Sequence, residues 1–136
     1  MATILVVDDY VVTLRVLSAQ LRKGGYEVIT AASGQAALEK LEQQRFDLAI
    51  VDIAMPEMDG ITLLTELRKK DSHKALPIIM LTASVLDDDR SRAKKEGATA
   101  FLTKPISSWD LLDIVRQQLG SIESKSVDSY SSGRTT

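Results

Sequence analysis

The chain contains no cysteine, only one histidine among its 136 residues, and no long apolar segment. Without cysteine there can be no disulfides, no thiolate catalysis and no Cys-based zinc site. A single histidine cannot form a histidine cluster for a transition metal. No apolar run approaches the ~18 residues that span a bilayer, and the N-terminus has no basic segment of a secretory signal. These absences predict a cytoplasmic protein that does not enter the membrane.

Charge and composition narrow the class further. The net charge is −2 and the pI is about 5.4, which gives no electrostatic reason to expect nucleic-acid or anionic-membrane binding. The length suits one domain, and we expect that domain to cover residues 1–120. Serines dominate residues 121–136, which have little to bury. We expect this segment to be a disordered tail or a truncated linker.

Short apolar runs alternate along the chain with longer segments of helical periodicity. Such alternation predicts a parallel sheet with helices on both faces. We therefore expect an α/β, flavodoxin-like, doubly wound (βα)5 domain whose five strands follow the order 2-1-3-4-5. Tyr26–Ala31 alternates apolar and polar residues, which favours an edge position. The predicted strands are Thr3–Val7, Tyr26–Ala31, Leu48–Val51, Pro77–Leu81 and Ala100–Leu102.

Helix boundaries are also readable from the sequence. Ser33 and Ser107 are predicted N-caps, and Gly24 is a predicted C-cap. The fourth helical segment, Asp87–Glu96, is unusually polar, and Ala93 is its one clear apolar contact. We expect a segment that buries so little to be weakly held, and so suited to a two-state change.

Polar side chains follow the apolar strands at one edge of the predicted sheet. Asp8 and Asp9 follow the first strand, Asp52 the third, Thr82 the fourth and Lys104 the fifth. The carboxyl ends of parallel strands share one edge, where ligands of such folds bind. Any one of these residues alone is more simply a cap, a turn residue or a solvated side chain. Their joint placement predicts a site.

Three converging carboxylates repel one another, at about 4 kcal/mol for each pair 4 Å apart in an effective dielectric of about 20. Protonation, a cation or a lysine must relieve this repulsion. Oxygen ligands select a hard divalent ion, and few carboxylates suit Mg²⁺ better than Ca²⁺. A metal, a lysine, a hydroxyl and a carboxylate together are what phosphoryl transfer to Asp52 requires.

The sequence resembles the bacterial two-component response regulator receiver domain from about Ala2 to Leu119. The matching segments are Ile4–Asp9, Leu48–Asp52 with Met55-Pro56 and Asp59-Gly60, Leu81–Ala83, and Phe101–Pro105. The spacing between Asp52, Thr82 and Lys104 also matches that family.

The resemblance implies a role for each residue of the site. Asp52 would be the phosphoacceptor. Mg²⁺ would be held by Asp9 directly, by Asp8 largely through water, by Asp52 and by the backbone carbonyl of Ala54. The resemblance therefore makes Mg²⁺ the expected cofactor.

The remaining implied roles concern switching. Thr82 would hydrogen-bond the phosphoryl group after moving towards it, Lys104 would pair with another phosphoryl oxygen, and Phe101 would turn inward. The peptide before Pro105 would be cis. A sensor histidine kinase or phosphotransfer protein would supply the phosphoryl group. The surface of helix 4, strand 5 and helix 5 would regulate a downstream protein partner, with a homodimer through it as one option.

We expect such a switch not to be an enzyme, except that it assists its own phosphorylation and autodephosphorylation. Two alternatives to this switch remain. One is a receiver-like interaction module that is never phosphorylated. The other is an aspartyl-phosphate phosphatase, which would need a second Asp where this chain has Ala54. Retention of the acidic pair, Asp52, Thr82 and Lys104 argues against the first alternative, and Ala54 argues against the second.

Overall fold

The computed structural model describes residues 1–83 and 88–123 and contains one five-stranded parallel sheet between two helical layers. The strands are β1 (Thr3–Val7), β2 (Glu27–Ala31), β3 (Leu48–Asp52), β4 (Ile78–Thr82) and β5 (Ala100–Thr103). The helices are α1 (Val11–Lys23), α2 (Gly34–Gln43), α3 (Gly60–Arg68), α4 (Asp88–Glu96) and α5 (Ser108–Glu123). A short 3-10 turn, Asp71–His73, precedes β4.

The strand order is β2-β1-β3-β4-β5, which confirms the predicted flavodoxin-like topology and the edge position of β2. Three strands extend one residue further than predicted, to Asp52, Thr82 and Thr103. These polar residues still pair in the ladder, Asp52 with Leu81 and Thr82 with Thr103. The change from apolar to polar side chains therefore does not mark the end of backbone pairing in these strands.

Alternate residues of the central strands pack into two separate hydrophobic cores, one on each face of the sheet. On β1, Ile4 and Val6 belong to the cluster that α1 and α5 cover, whereas Leu5 and Val7 belong to the cluster under α2, α3 and α4. The period of two in a strand sends successive side chains to opposite faces. Burial on both faces explains why these strands are continuously apolar.

The helix ends are fixed by local hydrogen bonds. Ser33 Oγ and Ser107 Oγ each accept a bond from the backbone N–H three residues later, at 3.0 Å, which confirms both predicted N-caps. Gly24 is the C-cap of α1, as predicted. Asp59 caps α3 in the same way, at 2.8 Å, although the sequence analysis did not predict it. These caps set where α2, α3 and α5 begin at the rim of the sheet.

Helix α4 ends at Glu96 as predicted, whereas α5 differs from expectation at its end. In α4, Ala93 is the single buried residue, as predicted, and the predicted start at Asp87 lies outside the described residues. Helix α5 continues to Glu123, three residues into the predicted tail, and 124–136 lie outside the described residues. Across the described ranges, none of the helices combines the length and apolar character needed to cross a bilayer.

Candidate functional site

The ends of β1 and β3 bring two carboxylates together. Val7 pairs with Val51 in the parallel ladder, so Asp8 and Asp52, one residue further on, lie side by side. Both are buried, at 0% and 4% exposure, and the residues that precede them, Val7 and Val51, belong to the apolar interior. Strand register therefore places the two acidic side chains next to each other, and the packed surroundings leave both with little access to water.

Asp9 completes an acidic cluster. One carboxylate oxygen from each of Asp8, Asp9 and Asp52 lies within 4.8 Å of the other two, and Asp9 is exposed. The Asp8 carboxylate also accepts a hydrogen bond from the Tyr10 N–H at 3.0 Å, which orients it at the start of α1. The structure thus brings together the three carboxylates that the sequence predicted.

Lys104 reaches this cluster from the end of β5. Its Nζ lies 3.3 Å from Asp8 Oδ2 and 3.3 Å from Asp52 Oδ1, so one ammonium contacts both buried carboxylates. The Lys104 side chain is 33% exposed. The following peptide, Lys104–Pro105, is cis, which confirms the expectation from the family resemblance. Lys104 therefore supplies positive charge that offsets the repulsion between Asp8 and Asp52.

The titration of these groups follows from their surroundings. Burial, and then the charge of Asp8, raise the pKa of Asp52 to about 6, although Lys104 opposes the shift. Burial lowers the pKa of Lys104, but Asp52 and Asp8 together outweigh it, so its pKa is raised. At neutral pH Lys104 is charged and Asp52 is mostly ionised. A carboxylate with a raised pKa is a better nucleophile than an ordinary aspartate.

Thr82 and Phe101, the two predicted switch residues, lie on neighbouring strands. Thr82 ends β4 and is 3% exposed, and Phe101 on β5 is half-buried against the α2–α4 core. The Arg90 guanidinium of α4 lies over the Phe101 ring, with its carbon 4.7 Å from the ring centroid. This cation–π contact joins the strand to α4 and was not predicted from the sequence.

The loop between β3 and α3 holds Ala54, the predicted carbonyl ligand, at the exposed rim. The loop is tight: Glu57 has a φ of 68°, and the Met58 N–H donates to the Pro56 carbonyl at 2.8 Å. At its base, the Gly60 N–H donates to the Ile53 carbonyl at 2.8 Å. A Cβ at Gly60 would collide with the Asp52 carbonyl, so only glycine fits there.

The donor set of the cluster fits a hard divalent cation. All three side chains offer carboxylate oxygens, which Mg²⁺ prefers. When ionised, the three carboxylates and the Lys104 ammonium leave two net negative charges. One divalent cation would balance them. Asp8, Asp9 and Asp52 would hold such an ion, with the Ala54 carbonyl as the fourth protein ligand that the resemblance implies.

The residues that the sequence analysis missed act through packing. Asp59 caps α3 after the loop, Gly60 packs against the Asp52 carbonyl at the base of the loop, and Arg90 contacts Phe101. The Asp59-Gly60 pair stood within the matched family segments, so a capping signal could have found Asp59. Arg90 gave no signal, because its contact depends on how α4 lies against β5.

Known proteins share this sequence and architecture. The family model for the response regulator receiver domain matches residues 4–116. A probable transcriptional regulator, ycf27 of Cyanophora paradoxa, is 38% identical over 128 residues, which cover 94% of this chain. The chain spans only 52% of that regulator's length, and 42% of the PhoP regulator of Bacillus subtilis. Much of these relatives therefore has no counterpart in the present sequence.

Solved structures agree with the sequence match. The chemotaxis protein CheY4 of Vibrio cholerae superposes with a TM-score of 0.84 at 38% identity, covering 88% of this chain and 99% of that one. The receiver domain of the sensor histidine kinase PA1611 of Pseudomonas aeruginosa has a TM-score of 0.82 at 34% identity, covering 88% and 98%. That structure has a magnesium ion coordinated in its active-site cleft. Fold, acidic cluster and family match agree: this chain belongs to the response regulator receiver domain family.

Proposed function

We propose that this chain is a phosphorylation-activated signalling switch. Asp52 accepts a phosphoryl group from a phosphohistidine on a sensor histidine kinase or phosphotransfer protein, in a magnesium-dependent reaction. The observation that carries the proposal is the Lys104 ammonium, 3.3 Å from carboxylate oxygens of both Asp8 and Asp52. That arrangement places a positive charge beside the two buried carboxylates at the ends of β1 and β3, and β3 is the middle strand of the sheet.

The transfer itself uses few groups. An Asp52 oxygen attacks phosphorus in line, opposite the histidine nitrogen. The O–P bond forms as the N–P bond breaks, and the leaving imidazole keeps the electron pair of that bond and takes up a proton. Lys104 neutralises one phosphoryl oxygen, and the Thr82 hydroxyl donates a hydrogen bond to another. Magnesium, when bound, supplies the remaining positive charge to the transferred group.

The product remains attached to the chain, so the protein is a switch rather than a catalyst acting on a separate substrate. We propose that its catalytic contribution is limited to its own phosphorylation and autodephosphorylation. An aspartyl-phosphate phosphatase would need an acid–base group near Asp52, and Ala54 offers only backbone there. The lysine and acidic cluster would have no purpose in a module that is never phosphorylated.

Weak anchoring of α4 supports a readout through this helix. Only Ala93 of its nine residues is buried, whereas α3, of equal length, buries five. An element that buries little apolar surface changes position at low cost. Phe101 contacts Arg90 of α4, and Thr82 pairs with the strand that carries Phe101, so we propose that phosphorylation alters the surface of α4, β5 and α5. A downstream partner, or a second copy of the chain, would bind that surface.

Several exposed apolar side chains support docking of the phosphodonor protein on this domain. Tyr10, Val11, Val12 and Val16 of the α1 region are 45–61% exposed, and Trp109 at the start of α5 is 79% exposed. Scattered exposed apolar residues are ordinary, but Tyr10 and Val11 directly follow the Asp8-Asp9 pair in the chain, and exposed apolar side chains at that place suit a protein interface. Asp52 is only 4% exposed, so a donor must contact this rim closely.

Intact-mass spectrometry tests the proposal directly. The protein is incubated with a small-molecule phosphodonor and Mg²⁺, and the wild type is compared with Asp52→Ala. We expect the wild type to gain the mass of one phosphoryl group, and Asp52→Ala and magnesium-free samples to gain none. Asp47→Ala, at the opposite edge of the sheet, is the matched control and should react like wild type. Phosphorylation of Asp52→Ala at the wild-type level would disprove the assignment.

A further inference from the structure

Helix α2 begins at Gly34 directly beneath the loop that joins β3 to α3. A Cβ at Gly34 would lie 2.6 Å from Met58 Sδ, 2.9 Å from its Cγ and 3.0 Å from its Cβ. Real Cβ atoms almost never come closer than 3.0 Å to another heavy atom. The near end of Met58 is involved as well as its flexible tip, so a rotamer change of the tip alone cannot make room.

The need for glycine here is steric and not conformational. Gly34 does not have a positive φ, unlike Gly25 and Gly97. Alanine is therefore compatible with the backbone at this first position of α2, and it is the better helix former. Any loss caused by alanine at this position must come from Met58.

Met58 is one of three side chains that fasten the loop to the protein. Ile53 and Met55 are buried at 6% and 8% exposure, and Met58 is half-buried against the same core. Ala54, Pro56 and Glu57 between these anchors are exposed. Met58 lies against Gly34, the first residue of α2, so this anchor joins the loop to α2.

We infer that Gly34 and Met58 are positioning residues for the metal centre. The space left by Gly34 receives Met58, and this contact fixes the loop that presents the Ala54 carbonyl beside Asp52. The inference rests on the proposed function, because it concerns Mg²⁺ binding at the proposed phosphorylation site. Neither residue touches the metal; each acts through the position of the loop.

The expected size of the effect follows from metal sites in general. Changing groups that orient metal ligands typically costs about 10–100-fold in metal affinity. The loop supplies one ligand of several, so we expect Gly34→Ala to weaken Mg²⁺ binding about 3–10-fold. Met58→Ala removes the anchor without a collision and should also weaken binding.

The decisive experiment is a double-mutant cycle. The dissociation constant for Mg²⁺ is measured by isothermal titration calorimetry for the wild type, Gly34→Ala, Met58→Ala and the double variant. Adding Gly34→Ala to Met58→Ala should change the constant less than about twofold, since the colliding side chain is gone. Urea unfolding without Mg²⁺ runs in parallel and should show that the double variant is no less stable than Met58→Ala.

Gly120→Ala is the matched control, because a Cβ at Gly120 in α5 meets nothing within 4 Å. It should bind Mg²⁺ like wild type. The inference fails if Met58→Ala binds Mg²⁺ with wild-type affinity, or if Gly34→Ala weakens binding equally with and without Met58. If the wild type itself does not bind Mg²⁺, the proposed function fails and this inference fails with it. Equal binding by wild type and variants would remove this inference alone.

Discussion

The two edges of the same sheet differ sharply. At the carboxyl edge, Lys104 contacts Asp8 and Asp52, whose side chains are 0% and 6% exposed. At the amino edge, a cavity of about 720 Å³ lies between the end of α2 and the 3-10 turn. Among the described residues that line it, Lys70 and Glu42 form an ion pair at 3.8 Å, with side chains 43% and 71% exposed. The ion pair at the amino edge is therefore much more exposed to water than the carboxylates that Lys104 contacts at the carboxyl edge.

Burial of charged groups, and not the presence of a cavity, distinguishes the reactive edge of the sheet. Water screens the pairs at the amino edge, where exposed ion pairs contribute about 0–1 kcal/mol. Burial and Lys70 also lower the pKa of His73 there, which leaves it neutral at pH 7. At the carboxyl edge, the two buried carboxylates are poorly hydrated. Their negative charge must therefore be compensated by a lysine, by protonation or by a cation.

The largest effect is expected for Lys104→Met at the carboxyl edge. Removing the ammonium leaves Asp8 and Asp52 facing each other unpaired, so unfolding at pH 8 without Mg²⁺ should require about 2–4 kcal/mol less free energy. Added Mg²⁺ should restore part of the loss, because the cation replaces the missing charge. Urea unfolding with and without Mg²⁺ measures both. A loss below about 0.5 kcal/mol would mean that burial does not distinguish the two edges.

The next effect has the opposite sign. Asp52 has a folded pKa of about 6, above its ordinary value of 3.8, so ionisation costs folding stability as the pH rises through that window. Asp52→Asn should therefore gain about 1–2 kcal/mol above pH 7 without Mg²⁺, and the gain should vanish below about pH 4. Urea unfolding across this range measures it. A gain that does not change with pH would show that charge is not its cause.

A smaller effect is expected for Asp47→Ala at the amino edge. The Asp47 carboxylate accepts a hydrogen bond from the Thr3 N–H at 2.8 Å, and Asp47 is exposed. Losing one such bond should cost about 0.5–1.5 kcal/mol, because water can replace it at the surface. Phosphorylation measured by intact mass should stay unchanged. Impaired phosphorylation would indicate that the two edges are coupled.

The smallest effect is expected for Lys70→Met, the counterpart of Lys104→Met. Its partner Glu42 is 71% exposed and remains hydrated when the lysine is removed. The free energy of unfolding should change by less than about 0.5 kcal/mol, with no response to Mg²⁺. Comparing the two lysine variants in the same urea titrations isolates burial as the variable. Similar losses from both would contradict the comparison.

Much of this architecture was readable from the sequence for a simple reason. Ile4–Val7 and Leu48–Val51 are continuously apolar because both of their faces are covered, and this predicted a parallel sheet. Parallel strands end at one edge, so the sequence alone predicts that Asp8, Asp9 and Asp52 lie together. The helix caps at Ser33 and Ser107 are local patterns, and they too were predicted correctly.

Other contacts depend on distances between elements that the sequence does not encode locally. The Arg90 guanidinium over Phe101 depends on the placement of α4 against β5. Met58 against Gly34 depends on how α2 meets the loop after β3. No periodicity or spacing rule links these pairs, because 11 residues separate the first and 24 the second.

The sequence by itself determined the order of strands and helices, the acidic cluster and the lysine at the sheet edge. Hydrophobic burial and strand register depend on residue type and period, which are local properties. Only the tertiary structure decided that one ammonium serves two buried carboxylates, and that their burial raises the pKa of Asp52. Desolvation is a property of the assembled surroundings, and no segment of the chain carries it alone.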